Sequence, residues 1–402
     1  MTGALQPGDR LAGMDFAAHN AAVSELWRGY WDGSPSRTPV ILGIGTRFFL
    51  KERGANPGGL TFREYSESPE AMFRAQLGFQ RWFRHNVDQD TELGAPAAWA
   101  VYPDFQNYSE ASWFGCPVEY RSGEVPDATP AFAERPEALM DHGVPGPFDG
   151  VMGRAIEYHE RFCELAASET YLGLPVQAPT YGCGMGSDGP FTVGCSLFGP
   201  DVLCTLLAAE PERFHALMSF MTEAIAARME AWRTRFGVPV PQDSFGMADD
   251  SIALISTRMY REHVLPYHRR LYDRFGTGKM RSIHLCGDAT RHFVTLRDEL
   301  GIQSFDTGFP VDFAGLRAQL GTGVRIQGGP HVALLRHGTP ADVEAEVRRI
   351  MLSGVRDGGL FVLREGNNMA PETPILNLEA MVRVGRAMGS LKTDNGGSAC
   401  PT

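Results

Sequence analysis

Short apolar runs recur along the chain, each bounded by Gly, Pro or Asp. They are PVILG (39–43), AAWAVY (97–102), PVQAPTY (175–181), DSFGMA (243–248), RSIHL (281–285), IQSFD (302–306), VRIQGG (324–329) and GLFVL (359–363). Several are apolar nearly throughout, the pattern of strands covered on both faces in a parallel sheet. Stretches of helical period lie between them. Leu203, Leu206, Leu207, Phe214, Leu217 and Met218 mark 200–235, and Tyr260, Val264, Tyr267 and Leu271 mark 257–275. Thr339-Pro340-Ala341-Asp342 predicts a helix start: Thr caps, Pro takes the first helical position and an acid follows. Thr373-Pro374 predicts the start of the last helix in the same way.

The second half alternates strand and helix with short connections, which predicts a parallel α/β fold. About eight strands in ~350 residues suit a (β/α)8 TIM barrel with loop insertions; a doubly wound open sheet is the competitor. The expected organisation is an N-terminal extension over 1–36, one barrel over 37–390 and a disordered tail over 391–402. The Pro-, Gly- and Asp-rich stretch 116–150 reads as a surface excursion. GCGMGSDG, Gly182 to Gly189, lacks the P-loop lysine and the dinucleotide spacing, so it predicts a flexible loop over the barrel mouth.

Composition narrows the function classes. The 402 residues are 43% hydrophobic and 21% charged, enough for a sizeable core. A net charge of -11 argues against a general nucleic-acid binder, which needs a basic footprint. A local cationic pocket for an anionic small substrate stays open. No apolar run reaches the ~18–20 residues of a membrane span. The first residues lack the basic-then-apolar order of a signal peptide. Seven scattered cysteines then predict reduced thiols in a cytoplasmic protein.

The candidate chemistry sits at strand ends. In His284-Leu285-Cys286-Gly287, residues two apart point to one side, so imidazole and thiol can converge on a metal such as zinc. A packed His and a packed Cys are the plain alternative. Asp249 and Asp250 follow DSFGMA; each can bind substrate or metal, move a proton, or serve a helix N-terminus. Asp104 and Asn107, in VYPDFQNYSE, can orient substrate or shape a turn. Asn367 and Asn368 can bind polar substrate groups or tolerate a left-handed turn. Gly328 allows close approach of backbone to substrate. His263, His268, His292 and His337 read as packing or surface residues.

Four segments in order resemble the second half of the uroporphyrinogen decarboxylase superfamily. They are ADDSIALISTRMYREHVLPYHRRLYDRFG, IHLCGDATRHFVTLRDELGIQSFD, IQGGPHVALLRHGTPADVEAEVRRIM and GLFVLREGNNMAPETPILNLEAMV. SDGPFTVGCSLFGPDVLCTLLAAEPERF and RTPVILGIGTRFFL resemble its earlier segments, so the resemblance spans roughly 37–390. It implies a TIM barrel with one of two chemistries: metal-free porphyrinogen decarboxylation, or thiol and corrinoid methyl transfer with zinc. His284 and Cys286 match the first two zinc ligands. The third, a Cys in a late "GCG…TP" segment, is replaced by Asn367. Glu365, His331, Asp249, Cys183 and Cys195 are candidate substitutes. The decarboxylase's "RQAGRY" signature, whose arginines bind substrate carboxylates, is not reproduced in PVILGIGTRFFL, where Arg47 is the only arginine and sits one place off.

The resemblance therefore implies a methyl or alkyl transferase assisted by Zn2+ and nearer to the methyltransferase-like members. Its reacting partner would be a thiol or a corrinoid-bound methyl group. No Asp-x-His-x-x-Gly stretch is visible, so a corrinoid would arrive free or on a separate protein. Two other readings are a metal-free decarboxylase, using Asp104 or Asp249 with Arg47 or Arg364, and a degenerate ligand-binding barrel. A homodimer is what the resemblance suggests for assembly.

Overall fold

The computed structural model describes residues 6, 8–52, 54–122, 124–180 and 183–390. The expected tail over 391–402, Cys400 and Gly182 lie outside the described residues. Five strands form one parallel sheet, in the order Phe361–Leu363, Arg325–Gly328, Ser304–Thr307, Gly276–Leu285 and Gln242–Ala248. Parallel neighbours need a crossover, and helices supply each one. Examples are Leu265–Phe275, Phe293–Leu300, Phe313–Leu320 and Pro340–Met351. Val40 adds a parallel bridge to Leu363 at the sheet's edge. In the first half, Trp99–Ala100 pairs in parallel with Leu174–Gln177. Every apolar run singled out in the sequence thus appears as a strand or, for 39–43, as a bridge. The fold is α/β with a parallel sheet, and buried Ile283, Leu285, Phe305, Ile326 and Phe361 pack it against the helices.

The helix over 200–235 is broken into Pro200–Ala209 and Pro211–Arg235, because Pro211 cannot donate into the preceding turn. Thr339 closes a reciprocal cap with Asp342, as its spacing predicts. Thr373 does not cap the helix Ile375–Met388; its hydroxyl donates to Ala370 O instead, at 2.8 Å. Part of the weakly periodic N-terminal stretch is the helix Phe16–Trp31, capped by Asp15 and burying Val23, Leu26 and Tyr30. Residues 116–150 carry a short hairpin, Val118–Glu119 with Asp127–Ala128, and bury Phe132 and Leu139.

The glycine-rich loop is pinned rather than free over its described residues. Arg228 and Arg233 donate to the carbonyls of Gly186 and Met185, at 2.8 and 3.2 Å. Trp232 fills the space beside Gly184, leaving no room for a Cβ. Among the described residues, no single helix is long and apolar enough to cross a membrane. The pair Pro190–Phe198 and Pro200–Ala209 passes that test only together, and it is bent by 113°.

Candidate metal centre

Strand register builds the site. Ala248, His284 and Asp306 are neighbours across three adjacent strands. The residues just beyond them therefore gather at one end of the sheet, the C-terminal end of the strands. Leu285 turns inward and is fully buried, so His284 and Cys286 share the other side.

His284 Nε2 lies 3.0 Å from Cys286 Sγ and 3.9 Å from Asp250 Oδ1. Asp250 also accepts the backbone N–H of Cys286 at 2.6 Å, which ties the two segments together. One ligand atom from each of Asp250, His284 and Cys286 lies within 4.8 Å of the others. Imidazole nitrogen, thiol sulfur and carboxylate oxygen are the donors zinc accepts. Asp250, in the short turn Asp250–Leu254 that follows the strand Gln242–Ala248, thus offers the third donor atom of this cluster. Asn367 turns its amide oxygen to Cys286 and accepts the thiol at 2.9 Å.

Behind the imidazole, Nδ1 meets Asp306 Oδ2 at 2.8 Å, the second partner that metal-bound histidines use. Arg364 donates to the same Asp306 oxygen at 3.0 Å and to Glu365 at 3.1 Å. Burial opposes charge on His284, but Asp306 and Cys286 outweigh it and push its pKa up to about 11. Burial pushes the Cys286 thiol up, and His284 pulls it the other way. A metal at this place must displace both protons.

The two adjacent aspartates separate in space. Asp249 is fully buried. It accepts Phe191 N, Thr192 N and Thr192 Oγ1, at 3.1, 2.8 and 2.7 Å, at the start of the helix Pro190–Phe198. His268 Nε2 closes on it at 2.7 Å. Its carboxylate holds a helix end, while Asp250 faces the metal cluster.

The adjoining side of the mouth is a cavity of about 290 Å³ lined by Thr46, Arg47, Tyr102, Asp104, Asn107 and Asn368, among others. Arg47 donates Nη2 to Asn107 Oδ1 at 2.5 Å and Nε to Gln106 Oε1. Among the described residues it makes no ion pair, and burial lowers its pKa. Asp104 is held by Tyr65 OH at 3.0 Å and by Gln106 Nε2 at 2.8 Å. Burial raises the pKa of its carboxyl. Tyr102, Asp104 and Gln106 also line a second cavity of about 610 Å³, beside Cys183.

The structure thus brings His284, Cys286, Asp250 and Asn367 together, with Arg47, Asn107, Asn368 and Asp104 around the adjoining cavity. Gly328 stands apart: the space a Cβ would need is filled by Thr307 and Phe313, so this glycine serves strand packing. None of the substitutes expected from sequence (Glu365, His331, Asp249, Cys183 and Cys195) joins the cluster, and Asp250 was not among them. Glu365 accepts the Gly43 N–H, Cys195 is buried in a helix, and His331 caps the helix Val332–His337. Asp306 was missed, although it ends the run IQSFD as an acid at a strand end. Gln106, at φ 58, was missed as the bridge between Asp104 and Arg47. Asp188 also went unread; burial first, then Glu110 and Asp250, push its carboxyl up to about 7.

These features define a parallel α/β protein with a His-Cys-Asp cluster at its strand ends. Residues 26–388 match the family Uroporphyrinogen decarboxylase (URO-D), and the chain belongs to it. It is 27% identical to the methylated-thiol–coenzyme M methyltransferase of Methanosarcina mazei over 292 residues, 71% of each chain. It is 29% identical to the uroporphyrinogen decarboxylase of Rhodococcus opacus over 187 residues, 44% of this chain and 50% of that one. A solved methyltransferase from Methanosarcina mazei superposes with a TM-score of 0.57 at 18% identity, covering 91% of this chain and 98% of that one. That last likeness is one of fold.

Proposed function

We propose that this chain is a metal-assisted methyl or alkyl transferase working at the mouth of a (β/α)8 barrel. The observation that carries this is the convergence of His284 Nε2, Cys286 Sγ and Asp250 Oδ1 within 4.8 Å. The similarity to a methyltransferase over 71% of the chain supports it. Zinc held by these three residues would supply Lewis acidity that turns a substrate thiol into a thiolate. Asp306 fixes the imidazole's orientation from behind. Arg47, bonded among the described residues to neutral amide oxygens, exchanges them for the anionic end of a small substrate. Asn368 and Asn107 line the path between that end and the metal. Asp104 sets Gln106, and through it Arg47. The methyl donor is a corrinoid that comes from outside the chain, as the family resemblance implies.

A metal-free decarboxylase is the second reading, and the cavity favours it in one respect. Asp104, whose carboxyl pKa is raised by burial, sits with Arg47 in one pocket. An acid beside an unpaired cation suits protonation of a carbanion. The deciding experiment is zinc content and methyl transfer from methylcobalamin to a small thiol, in wild type, His284→Ala and Cys286→Ala. The transferase reading expects one zinc per chain, lost with activity in both variants. Full transfer by Cys286→Ala overturns it, and chelator-insensitive CO2 release selects the decarboxylase.

A further inference from the structure

A continuous chain of contacts, buried at Glu365 and part-buried elsewhere, runs behind the metal cluster. The Gly43 N–H donates to both oxygens of Glu365, at 3.0 and 2.9 Å. Arg364 Nη2 donates to Glu365 at 3.1 Å, and its Nη1 to Asp306 Oδ2 at 3.0 Å. The same Asp306 oxygen receives His284 Nδ1 at 2.8 Å. From this geometry we infer that Arg364 and Glu365 are positioning residues for the metal centre: they hold Asp306 against His284 and so fix which imidazole nitrogen faces Cys286 and Asp250. The inference rests on the metal reading above.

Three observations carry it. First, a neutral imidazole has one N–H. Asp306 takes it at Nδ1, which leaves the Nε2 lone pair for a metal. A loosened Asp306 lets the proton move to Nε2, where it blocks the ligand atom. Second, Asp306 is held through one oxygen only. Its Oδ1 and Arg364 Nε are buried without a hydrogen-bond partner. Buried ion pairs add little net stability even when fully bonded. A pair with two unbonded atoms is a poor stabiliser, yet it fixes a direction. Third, the far end is built for this contact alone. A Cβ on Gly43 would fall 2.1 Å from Glu365 Oε1 and 2.6 Å from Arg364 Nη2. The glycine lets backbone N–H reach a carboxylate that is itself fully buried.

The test uses Co2+ as the probe on metal-stripped full-length protein. Wild type, Glu365→Gln, Asp306→Asn, the double variant and Gly43→Ala are compared. Affinity is read by competition with a chromophoric chelator, and ligand geometry by the cobalt–thiolate and d–d absorption bands. Glu365→Gln is expected to lose about 10- to 100-fold in affinity, the usual cost of an outer-shell partner. Its bands shift, and the double variant is no weaker than the weaker single, because both changes break one relay. Gly43→Ala follows Glu365→Gln. If Glu365→Gln does not fold, Arg364→Lys carries the test: it keeps the charge, cannot span both carboxylates, and falls between wild type and Gly43→Ala. Wild-type affinity and bands in Glu365→Gln, or losses that add in the double variant, overturn the relay alone. A wild type that takes up no cobalt overturns the metal reading and the relay with it.

Discussion

Around His284 the charged groups are tied down: Asp306 and Glu365 by Arg364, and Asp250 by the backbone N–H of Cys286. In the adjoining cavity, Arg47 meets, among the described residues, the amide oxygens of Gln106 and Asn107 and no carboxylate. The first arrangement resists change, since moving Arg364 leaves the buried Glu365 and the part-buried Asp306 without their cation. The second gives way cheaply, because a neutral acceptor is easily exchanged for an anion. On the proposed function, such a site separates its tasks: the reacting atoms are held ahead of time, and the substrate's tail is captured by a cation that has no carboxylate partner among the described residues.

That contrast can be broken most severely at Cys286. Cys286→Ala should abolish zinc binding and lower methyl transfer by more than about 100-fold, beyond the cost of an outer-shell change. Zinc analysis and turnover on one preparation check this; retained zinc would mean the thiol is no ligand. Asp250→Asn should weaken zinc by about 10- to 100-fold while the fold persists. Chelator competition reads the loss, and unchanged affinity would return the search to other donors. Arg47→Ala should act on the other side of the comparison. It should raise KM for an anionic thiol by about tenfold, roughly 1.4 kcal/mol, with kcat nearly unchanged. A fall in kcat at constant KM would place Arg47 among the reacting groups instead.

The smallest expected effect concerns the frame of the rigid side. His292 is buried and bonds Ile252 O at 2.9 Å, in the turn Asp250–Leu254 that carries the third donor. Burial pushes its pKa down to about 4. As pH falls, the unfolded chain takes up a proton near ~6.5, before the folded one does. The stability of the neutral form is therefore complete above about pH 6.5 and drains as the pH falls to 4. Wild type should lose about 5 °C more in Tm than His292→Gln across that window. Equal losses would show that another group governs acid sensitivity here.

Much of the fold was legible because strands recur as short runs bounded by Gly, Pro or Asp, some apolar nearly throughout as in GLFVL and others mixed as in RSIHL and VRIQGG, and each of these three became a sheet strand. The pair His284 and Cys286 was legible for a similar reason: two-residue spacing at a strand end dictates a common side. The division of labour between Asp249 and Asp250 was not, because one residue's step changes the side chain's face, and only register decides which face holds the helix end. The relay was hidden as well. Asp306, Arg364, Glu365 and Gly43 come from three places along the chain that meet only when their strand ends assemble.

Asn367 bears on how the centre ages. Its amide, rather than a second sulfur, stands against Cys286 at 2.9 Å, and no other cysteine belongs to the cluster among the described residues. An oxidant reaching this thiol finds no neighbouring thiol within the cluster with which to close a reversible disulfide. Damage at Cys286 would begin as sulfenic acid and proceed to irreversible acids unless an external thiol intervenes. With Asn367 where the resemblance expects a Cys, the thiol at this place has no partner of its own in the cluster and depends on external thiols for repair.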